Sequence, residues 1–205
     1  MLFSFAVKMA TQSWLIIGIS GVTCSGKTTL VKRLQESLDC IVISQDNYFL
    51  PANDPRHTKV PELNHLNWDI LSSLDMKKMY EEVLNIIEPK DIPNDAMNKD
   101  IIKKKTLILE GFSIFGDKST ANLCNLKYFL TLSKEECWTR RKCRVYDPPD
   151  VPGYFEKIVW PEYLKHMAEL QEDKYLYKKI KFIDGLKSRD ELFELIYSDI
   201  CMHLC

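Results

Sequence analysis

The feature that most constrains this chain is an eight-residue segment that fits the pattern G-x-x-x-x-G-K-[ST] at every position, Gly21-Val22-Thr23-Cys24-Ser25-Gly26-Lys27-Thr28. An apolar stretch precedes it and a helix-forming stretch follows, which is the strand–loop–helix context that the pattern requires. Its glycines let backbone N–H groups turn inward around phosphate oxygens, and the helix N-terminus adds a positive dipole end. The pattern predicts binding of a purine nucleoside triphosphate, with Lys27 on the β- and γ-phosphates and Thr28 on Mg²⁺. A glycine-rich turn that holds a lysine by coincidence is the alternative, which the flanking strand and helix disfavour.

Short apolar runs alternate with amphipathic segments along the rest of the chain. Strands are predicted at Trp14–Ser20, Cys40–Ser44, Thr106–Leu109, Tyr128–Leu132 and Lys181–Ile183. Helices are predicted at Lys27–Leu38, Ile70–Ile87, Lys134–Val145, Val159–Gln171 and Ser188–Leu204, the last with Ser188 and Glu191 spaced as a capping box. Prolines make Leu50–Leu66 an irregular segment and Glu88–Lys105 a loop. This alternation predicts an α/β fold with a parallel sheet covered on both faces, whose ligands bind beyond the carboxyl ends of the strands.

Size and composition exclude several classes of protein. With 205 residues, 45% of them hydrophobic, we expect one domain over residues 14–205 after an N-terminal extension at 1–13. Charge is balanced, with 28 Lys and Arg against 29 Asp and Glu, so no nucleic-acid partner is indicated. No apolar run approaches the roughly 20 residues of a membrane helix, and the first residues do not resemble a signal peptide. Seven cysteines without a Cys-x-x-Cys pair suit reduced thiols in a cytoplasmic enzyme, which we expect to be a monomer.

Two acids stand where predicted strands end. Asp46 follows the second strand and is the first candidate for taking the proton of a phosphoryl-accepting hydroxyl, although a turn aspartate is common at such places. Glu110 ends the third strand, after Leu107-Ile108-Leu109, and an acid at such a position often holds Mg²⁺ or its water. Together with the phosphate loop, these acids predict phosphoryl transfer to a small molecule.

The segment Arg140-Arg141-Lys142-Cys143-Arg144 is rich in arginine. Arg140 and Arg144 are spaced to share one helix face, and guanidinium groups suit the charge on a transferring phosphoryl group. An ordinary basic helix face is the alternative. Because Asp147-Pro148-Pro149-Asp150 must stop the helix, we predict that this stretch acts as a lid.

The chain resembles the nicotinamide riboside kinases over nearly its whole length from Leu15. The matching segments are Ile16–Thr23, Ser25–Thr29, Ile43–Asp46, Glu110–Phe112, Tyr128–Thr131, Arg144–Tyr146, Pro148–Asp150, Pro152–Phe155 and Val159–Pro161. The resemblance implies a P-loop nucleoside-kinase fold with a five-stranded parallel core. It also implies an ATP- and Mg²⁺-dependent kinase that makes nicotinamide mononucleotide from nicotinamide riboside in NAD salvage, and that accepts nicotinic acid riboside too.

The resemblance also implies roles for particular residues. Asp46 matches the proton acceptor and metal-linked acid, and Thr28 the metal-binding threonine. Asp69 matches the acid that grips the ribose hydroxyls with the help of Arg141, and Trp68 and Tyr146 match two rings that clasp the nicotinamide. The expected catalytic residues are Asp46, Lys27, Glu110 and Arg140. The expected nucleotide contacts are Gly21, Val22, Thr23, Cys24, Ser25, Gly26, Lys27, Thr28, Thr29, Arg140, Arg144, Val145, Tyr146, Lys187, Ser188 and Arg189. The expected substrate contacts are Asp46, Asn47, Tyr48, Phe49, Trp68, Asp69, Arg141, Tyr146 and Asp147.

These assignments suit the chemistry of the substrate. Aromatic faces attract a flat cationic ring, and a carboxylate beside an arginine holds a ribose diol well. Taken alone, Trp68 could be a core residue and Asp69 a helix N-cap before Ile70. Two positions depart from the family pattern, in which position 68 is usually tyrosine and position 47 often an acid; here they are Trp68 and Asn47.

Two other functions remain as alternatives. One is a uridine or other nucleoside kinase, with the same ATP half and a different base pocket. The other is a nucleotide-dependent switch without a small acceptor, which would need no ribose clamp such as Asp69 with Arg141.

Overall fold

A parallel five-stranded sheet organises the computed structural model, which describes residues 13–88 and 104–204. The strands in chain order are β1 (Trp14–Gly21), β2 (Cys40–Ser44), β3 (Lys59–Val60), β4 (His65–Leu66), β5 (Lys105–Glu110), β6 (Leu126–Thr131) and β7 (Lys181–Asp184). The main sheet has the order β2-β5-β1-β6-β7, and all its pairs are parallel. The short strands β3 and β4 form a separate antiparallel pair.

Helices connect the strands and cover the sheet. They are α1 (Lys27–Ser37), α2 (Met76–Ile87), α3 (Lys118–Leu123), α4 (Lys134–Arg141), α5 (Trp160–Glu172), α6 (Lys174–Tyr177) and α7 (Arg189–Leu204). A π-helical turn, Phe155–Val159, leads directly into α5, and 3₁₀ turns occur at Gln45–Tyr48, Pro61–Leu63 and Leu71–Ser73. In the described ranges 13–88 and 104–204, no helix is long and apolar enough to cross a membrane.

The central strand β1 shows why the sheet is buried on both faces. All eight of its residues are buried, and neighbouring side chains alternate between two apolar clusters. Ile16 packs in a cluster with residues of α2, α5 and α6, whereas Ile17 packs in another with residues of α1 and α7. Each such side chain contributes roughly 1.5–3 kcal/mol when buried, so a strand without exposed positions favours the centre of a doubly covered sheet.

Two predicted helices have the wrong bounds. The helix predicted at Ile70–Ile87 begins only at Met76, because Asp75 caps it by accepting a hydrogen bond from the Lys78 N–H at 3.0 Å. Asp69 is therefore not the N-cap of this helix. The helix predicted at Lys134–Val145 ends at Arg141, before the prolines that were expected to end it.

Other predictions of local structure have mixed outcomes. The capping box of α7 is confirmed, since the Ser188 N–H donates to Glu191 Oε2 at 2.8 Å and the Glu191 N–H donates to Ser188 Oγ at 3.2 Å. The segment Leu50–Leu66 is not wholly irregular, because it contains β3 and β4. Lys105 belongs to β5, and the remainder of the predicted loop after Glu88 lies almost entirely outside the described residues, as does the extension at 1–13 apart from Ser13.

The sheet brings the candidate residues to one edge. Glu110, the last residue of β5, lies beside Ser44 of β2 and Ile19 of β1 in the strand register. The phosphate loop begins where β1 ends, and Gly185 follows β7 at the same edge, where its N–H donates to the Thr131 carbonyl at 2.8 Å. The carboxyl ends of the strands therefore form the floor of the candidate site, as expected for a parallel sheet.

Candidate active site

The phosphate loop, Gly21–Thr28, has a backbone that only some residues can adopt. Gly21 has a φ of +139°, and a Cβ there would lie 2.2 Å from the Leu130 carbonyl oxygen. Gly26 has a φ of +94° and forms the N-cap of α1, while Cys24 has a φ of +61°. The Val22 N–H donates to the Leu130 carbonyl at 3.1 Å and so ties the loop to β6. The glycines of the motif are thus required by close backbone approach and by left-handed conformation.

Lys27 lies inside this loop. Its Nζ donates to the carbonyls of Gly21 at 2.9 Å and Val22 at 2.8 Å. Burial lowers the pKa of Lys27, and the negative charges of Glu110 and Asp46 oppose that shift. The ammonium group therefore lies within electrostatic range of both acids at the strand ends.

Thr28, Asp46 and Glu110 form an oxygen-rich group beside the loop. Glu110 is buried and accepts hydrogen bonds from Thr28 Oγ1 at 2.8 Å and from Ser44 Oγ at 3.2 Å. The side chain of Asp46 reaches solvent, but the protein around it removes part of its hydration, and this effect together with the Glu110 charge raises its pKa.

These oxygens fit Mg²⁺, which prefers hydroxyl, carboxylate and phosphate ligands. Within residues 13–88 and 104–204, no three His, Cys, Asp or Glu side chains are grouped to hold a metal by themselves. A site of this kind suits Mg²⁺ that is bound through one or two protein groups plus substrate phosphates.

A cleft of about 780 Å³ opens on the other side of the loop. Residues of α1 from Thr29 to Glu36 line it, together with Arg140 and the segment Lys187–Arg189. The Arg140 guanidinium donates to the carbonyls of Cys24 at 3.4 Å and Gly185 at 3.2 Å, and its Nε donates to Glu136 at 2.6 Å. Arg140 therefore links the phosphate loop to the turn after β7. The volume of the cleft is in the range of small-molecule binding pockets.

Arg141 is the centre of a second group of contacts. Its buried guanidinium donates to Asp150 at 2.6 and 2.9 Å and to Thr23 Oγ1 at 3.1 Å, and its Nη2 lies 3.8 Å from Asp69 Oδ2. The guanidinium carbon also lies 4.3 Å from the ring centroid of Tyr146. Burial alone would lower the pKa of Arg141, but the hydrogen bonds to Asp150 and the charge of Asp69 outweigh it and raise the pKa.

The two aromatic side chains expected around the nicotinamide belong to residues next to the Asp69–Arg141 pair in the chain or in space. Trp68 precedes Asp69 in the chain, whereas the Tyr146 ring packs on Arg141. The Tyr146 hydroxyl lies 3.3 Å from Thr23 Oγ1 and 3.5 Å from Cys24 Sγ. Tyr146 therefore contacts the phosphate loop directly.

Trp68 belongs to a row of aromatic rings. Its ring centroid is 4.5 Å from that of His57 and 5.8 Å from that of Phe49, and Phe49 stacks on Phe112 at 6.2 Å. Phe49 and Trp68 thus line the same side of the site, next to the turn that carries Asp46.

Some predicted site residues are not brought to this centre. The Tyr48 ring is buried in the core beside α2, where its hydroxyl bonds Glu82, and so points away from the loop. The Val145 side chain is 96% exposed, and Asn47 and Asp147 are exposed as well. Thr29, Lys187, Ser188 and Arg189 line the nucleotide-side cleft, as their expected role requires. Arg144 lies 5.1 Å from the Tyr146 ring and 3.9 Å from Cys24 Sγ.

Sequence reasoning missed several residues that organise the site. Asp150 was interpreted only as part of a helix stop, yet it binds Arg141 with both carboxylate oxygens. Phe112 and His57 contact the aromatic row, and Tyr154 bonds the Trp68 N–H and lies close to Asp69. No spacing rule connects these residues, because none of the contacts falls at the short spacing of a helix turn or a strand, and the Phe112 and Tyr154 contacts join segments that are distant in the chain.

Comparisons with known proteins show what the chain is similar to. A family model described as an AAA domain matches residues 17–161. Nicotinamide riboside kinase 1 of Homo sapiens is 42% identical over 193 residues, which cover 92% of this chain and 93% of that protein. Nicotinamide riboside kinase 1 of Rattus norvegicus is 41% identical over 191 residues, which cover 92% and 95%.

A solved structure supports the fold independently of close sequence similarity. The crystal structure of a sugar kinase from Janibacter sp. HTCC2649 covers 90% of this chain and 93% of its own, with a TM-score of 0.54 and 14% identity. At that identity the match supports the kinase fold alone. The phosphate loop, the parallel sheet and the identity to whole relatives lead to one conclusion: the chain belongs to the nicotinamide riboside kinase family.

Proposed function

We propose that this protein is an ATP-dependent kinase that phosphorylates the 5′-hydroxyl of nicotinamide riboside, and of nicotinic acid riboside, to the mononucleotide in NAD salvage. The observation that carries the proposal is the contact of the Asp69–Arg141 pair with the phosphate loop through Thr23, at 3.1 Å from Arg141. A carboxylate–guanidinium pair suits a ribose diol, and this one lies beside the loop that holds the phosphate donor. The names of the human and rat relatives support the same substrate.

The nucleotide half of the site holds ATP. Backbone N–H groups of Gly21–Thr28 and the N-terminus of α1 bind the phosphates, with Lys27 as the adjacent cation. Arg140 and the Lys187–Arg189 segment, which line the cleft, supply further contacts, as does Arg144 beside Cys24 of the loop. Thr28 and Asp46 are the residues that would hold Mg²⁺, which neutralises charge on the ATP phosphates when it is bound. Glu110 orients Thr28 through their hydrogen bond of 2.8 Å.

Asp46 takes the proton of the acceptor hydroxyl. The 5′-oxygen then bonds the γ-phosphorus, the bond to the β,γ-bridging oxygen breaks, and ADP leaves with that electron pair. Because the pKa of Asp46 is raised, its carboxylate is a stronger base than a fully hydrated aspartate. Lys27 and Arg140 stabilise the charge on the transferring phosphoryl group. Holding the acceptor hydroxyl next to the γ-phosphate supplies much of the rate enhancement.

The acceptor half of the site selects the riboside. Asp69 accepts hydrogen bonds from the ribose hydroxyls while Arg141 holds its carboxylate in place. Trp68 and Tyr146 supply aromatic faces for the flat cationic ring. The segment after α4 reaches this region through Tyr146 and Asp150, which favours a lid role for residues 142–153.

The remaining proposals concern the whole chain. We assign residues 14–205 to one kinase domain, because the two apolar clusters on the faces of the sheet draw on elements from both described ranges. Within residues 13–88 and 104–204 no disulfide is formed, and Cys24, Cys40, Cys124, Cys137 and Cys143 are free thiols, which supports a reducing, cytoplasmic setting. We propose a monomer that acts on small molecules and needs neither nucleic acid nor membrane.

An acceptor assay tests the function. ADP release is measured with nicotinamide riboside, with nicotinic acid riboside, with uridine and without an acceptor, and the phosphorylated product is identified by mass spectrometry. We expect ADP release to depend on either pyridine riboside. A strong preference for uridine would instead indicate the nucleoside-kinase alternative, and turnover without any acceptor would indicate the nucleotide switch.

A further inference from the structure

Tyr154 lies against two consecutive residues of the proposed riboside pocket. Its hydroxyl oxygen accepts a hydrogen bond from the Trp68 backbone N–H at 2.9 Å. The same hydroxyl is close enough to the Asp69 carboxylate for each group to shift the pKa of the other. One hydroxyl group therefore connects the residue proposed to contact the nicotinamide ring with the residue proposed to bind the ribose.

The position of Tyr154 is set by its surroundings. Gly153, with a φ of +83°, turns the chain just before it, and the π-helical turn Phe155–Val159 follows. The Tyr154 ring is only 1% exposed and packs in an apolar cluster with Val22 of the phosphate loop. Burial and the Asp69 charge raise the pKa of Tyr154, so its hydroxyl stays protonated and can donate to Asp69 at neutral pH.

Asp69 needs such support because it is itself poorly hydrated. Burial raises the pKa of Asp69, while Arg141 and the Tyr154 hydroxyl act to lower it. A hydrogen bond to the charged form favours the ionised carboxylate and limits its orientation. Asn67 adds a contact on the backbone side, where its Oδ1 accepts from the Asp69 N–H at 3.1 Å.

We infer that Tyr154 is a positioning residue for the nucleoside substrate, which it orders by holding Trp68 and Asp69 in one arrangement. This inference rests on the proposed function, because it takes Asp69 as the ribose ligand. Tyr154 touches neither ATP nor the reacting atoms in this mechanism. Its loss should therefore weaken riboside binding and leave ATP binding nearly unchanged.

The chain offers a matched control. Tyr128 is also 1% exposed, and its hydroxyl likewise donates to a carboxylate, that of Asp199. It packs in the cluster between the sheet and helices α1 and α7, on the other face of the sheet from the Ile16 cluster. Tyr128→Phe and Tyr154→Phe thus delete the same kind of hydrogen bond in two different places.

The experiment measures the affinities of nicotinamide riboside, uridine and ATP by calorimetry for the wild type, Tyr154→Phe and Tyr128→Phe, with thermal unfolding as a check on folding. We expect Tyr154→Phe to raise the riboside Kd about tenfold, as loss of one hydrogen bond to a charged group predicts, and to change the ATP Kd less than twofold. Tyr128→Phe should change neither Kd by more than about twofold.

A double-mutant cycle tests whether Tyr154 acts through Asp69. In an Asp69→Asn background, Tyr154→Phe should raise the riboside Kd by about threefold or less, because the charged partner is already gone. Three results would each overturn the inference. Tyr154→Phe could weaken ATP binding as much as riboside binding, or its riboside Kd could equal that of Tyr128→Phe. The third is that the effects of Tyr154→Phe and Asp69→Asn on the riboside Kd are fully additive.

The same titrations separate this inference from the proposed function. If the wild type binds uridine and not nicotinamide riboside, the proposed substrate is wrong, and the Tyr154 comparison is then judged with uridine, which carries the same ribose diol. If the wild type binds neither nucleoside, both the proposed function and the inference are overturned.

Discussion

Asp150 holds Arg141 by two hydrogen bonds, at 2.6 and 2.9 Å, and so fixes the guanidinium group that faces Asp69. The Arg141 side chain is only 5% exposed and that of Asp150 is 26% exposed, so water screens this ion pair less than a surface pair. The geometry is bidentate, which gives a planar guanidinium one preferred orientation. Asp150 therefore contributes to the proposed riboside pocket through Arg141, which it orients.

Replacing Asp150 tests this relationship. We expect Asp150→Asn to raise KM for nicotinamide riboside about tenfold while KM for ATP changes little, because one charge-assisted hydrogen bond is lost and Arg141 gains freedom. Steady-state kinetics with each substrate varied in turn provides the measurement. Glu156→Gln, an exposed acid of the next turn, is the control. An unchanged riboside KM would show that Arg141 does not depend on Asp150.

The role of Asp46 predicts a loss of turnover without a loss of ATP affinity. Asp46→Ala should lower kcat by about 10²–10⁴-fold, as expected when a general base is removed. ATP binding, followed by calorimetry without Mg²⁺, should remain close to that of the wild type, because the loop and Lys27 are intact. Asp39→Ala, an exposed acid before β2, should leave kcat unchanged. Near-normal turnover of Asp46→Ala would refute its role as the base.

Gly21 and Gly26 should respond differently to alanine. At Gly21 a Cβ would lie 2.2 Å from a backbone oxygen, whereas at Gly26 nothing lies within 4 Å and only the positive φ opposes substitution. We expect Gly26→Ala to cost about 1–2 kcal/mol of unfolding free energy and Gly21→Ala to cost more than about 3 kcal/mol. Urea unfolding with fluorescence detection measures both. Equal losses would mean that β6 yields readily to a side chain at position 21.

Because His166 is buried, we predict that the free energy of unfolding depends on pH. Burial lowers its pKa to about 4, and its buried Nε2 has no hydrogen-bond partner among residues 13–88 and 104–204. Between about pH 4 and the unfolded value near 6.5, the unfolded chain binds the proton more tightly, so the free energy of unfolding falls as pH falls through this window.

Replacing His166 should remove that dependence. Between pH 6.5 and 4, the free energy of unfolding should fall by roughly 2–3 kcal/mol less in His166→Gln than in the wild type. Urea unfolding at several pH values measures this difference. His203→Gln, at an exposed position in α7, should keep the wild-type slope. A wild-type slope in His166→Gln would contradict the prediction.

The resemblance in sequence named most of the candidate site, but not how its parts support one another. Asp69 illustrates the limit, because beside Ile70 it has the local pattern of a helix N-cap, and the structure gives that role to Asp75 instead. Tyr48 illustrates a second limit, since its ring packs in the core while the ring of its neighbour Phe49 packs on Trp68. Adjacent residues on a 3₁₀ turn point in different directions, and a motif alone does not say which way each side chain faces.

The phosphate loop, the chain order of the five main-sheet strands and the capping box of α7 follow from sequence alone, because each depends on residues within a few positions of one another. Only the tertiary structure decided the strand order β2-β5-β1-β6-β7 and the joining of Arg141 to Thr23, Asp69 and Asp150. Those contacts join segments brought together by burial of both sheet faces, and the hydrophobic effect that drives such burial is non-directional. The chain pattern therefore predicts that a core forms, while packing selects which distant polar groups meet at its edge.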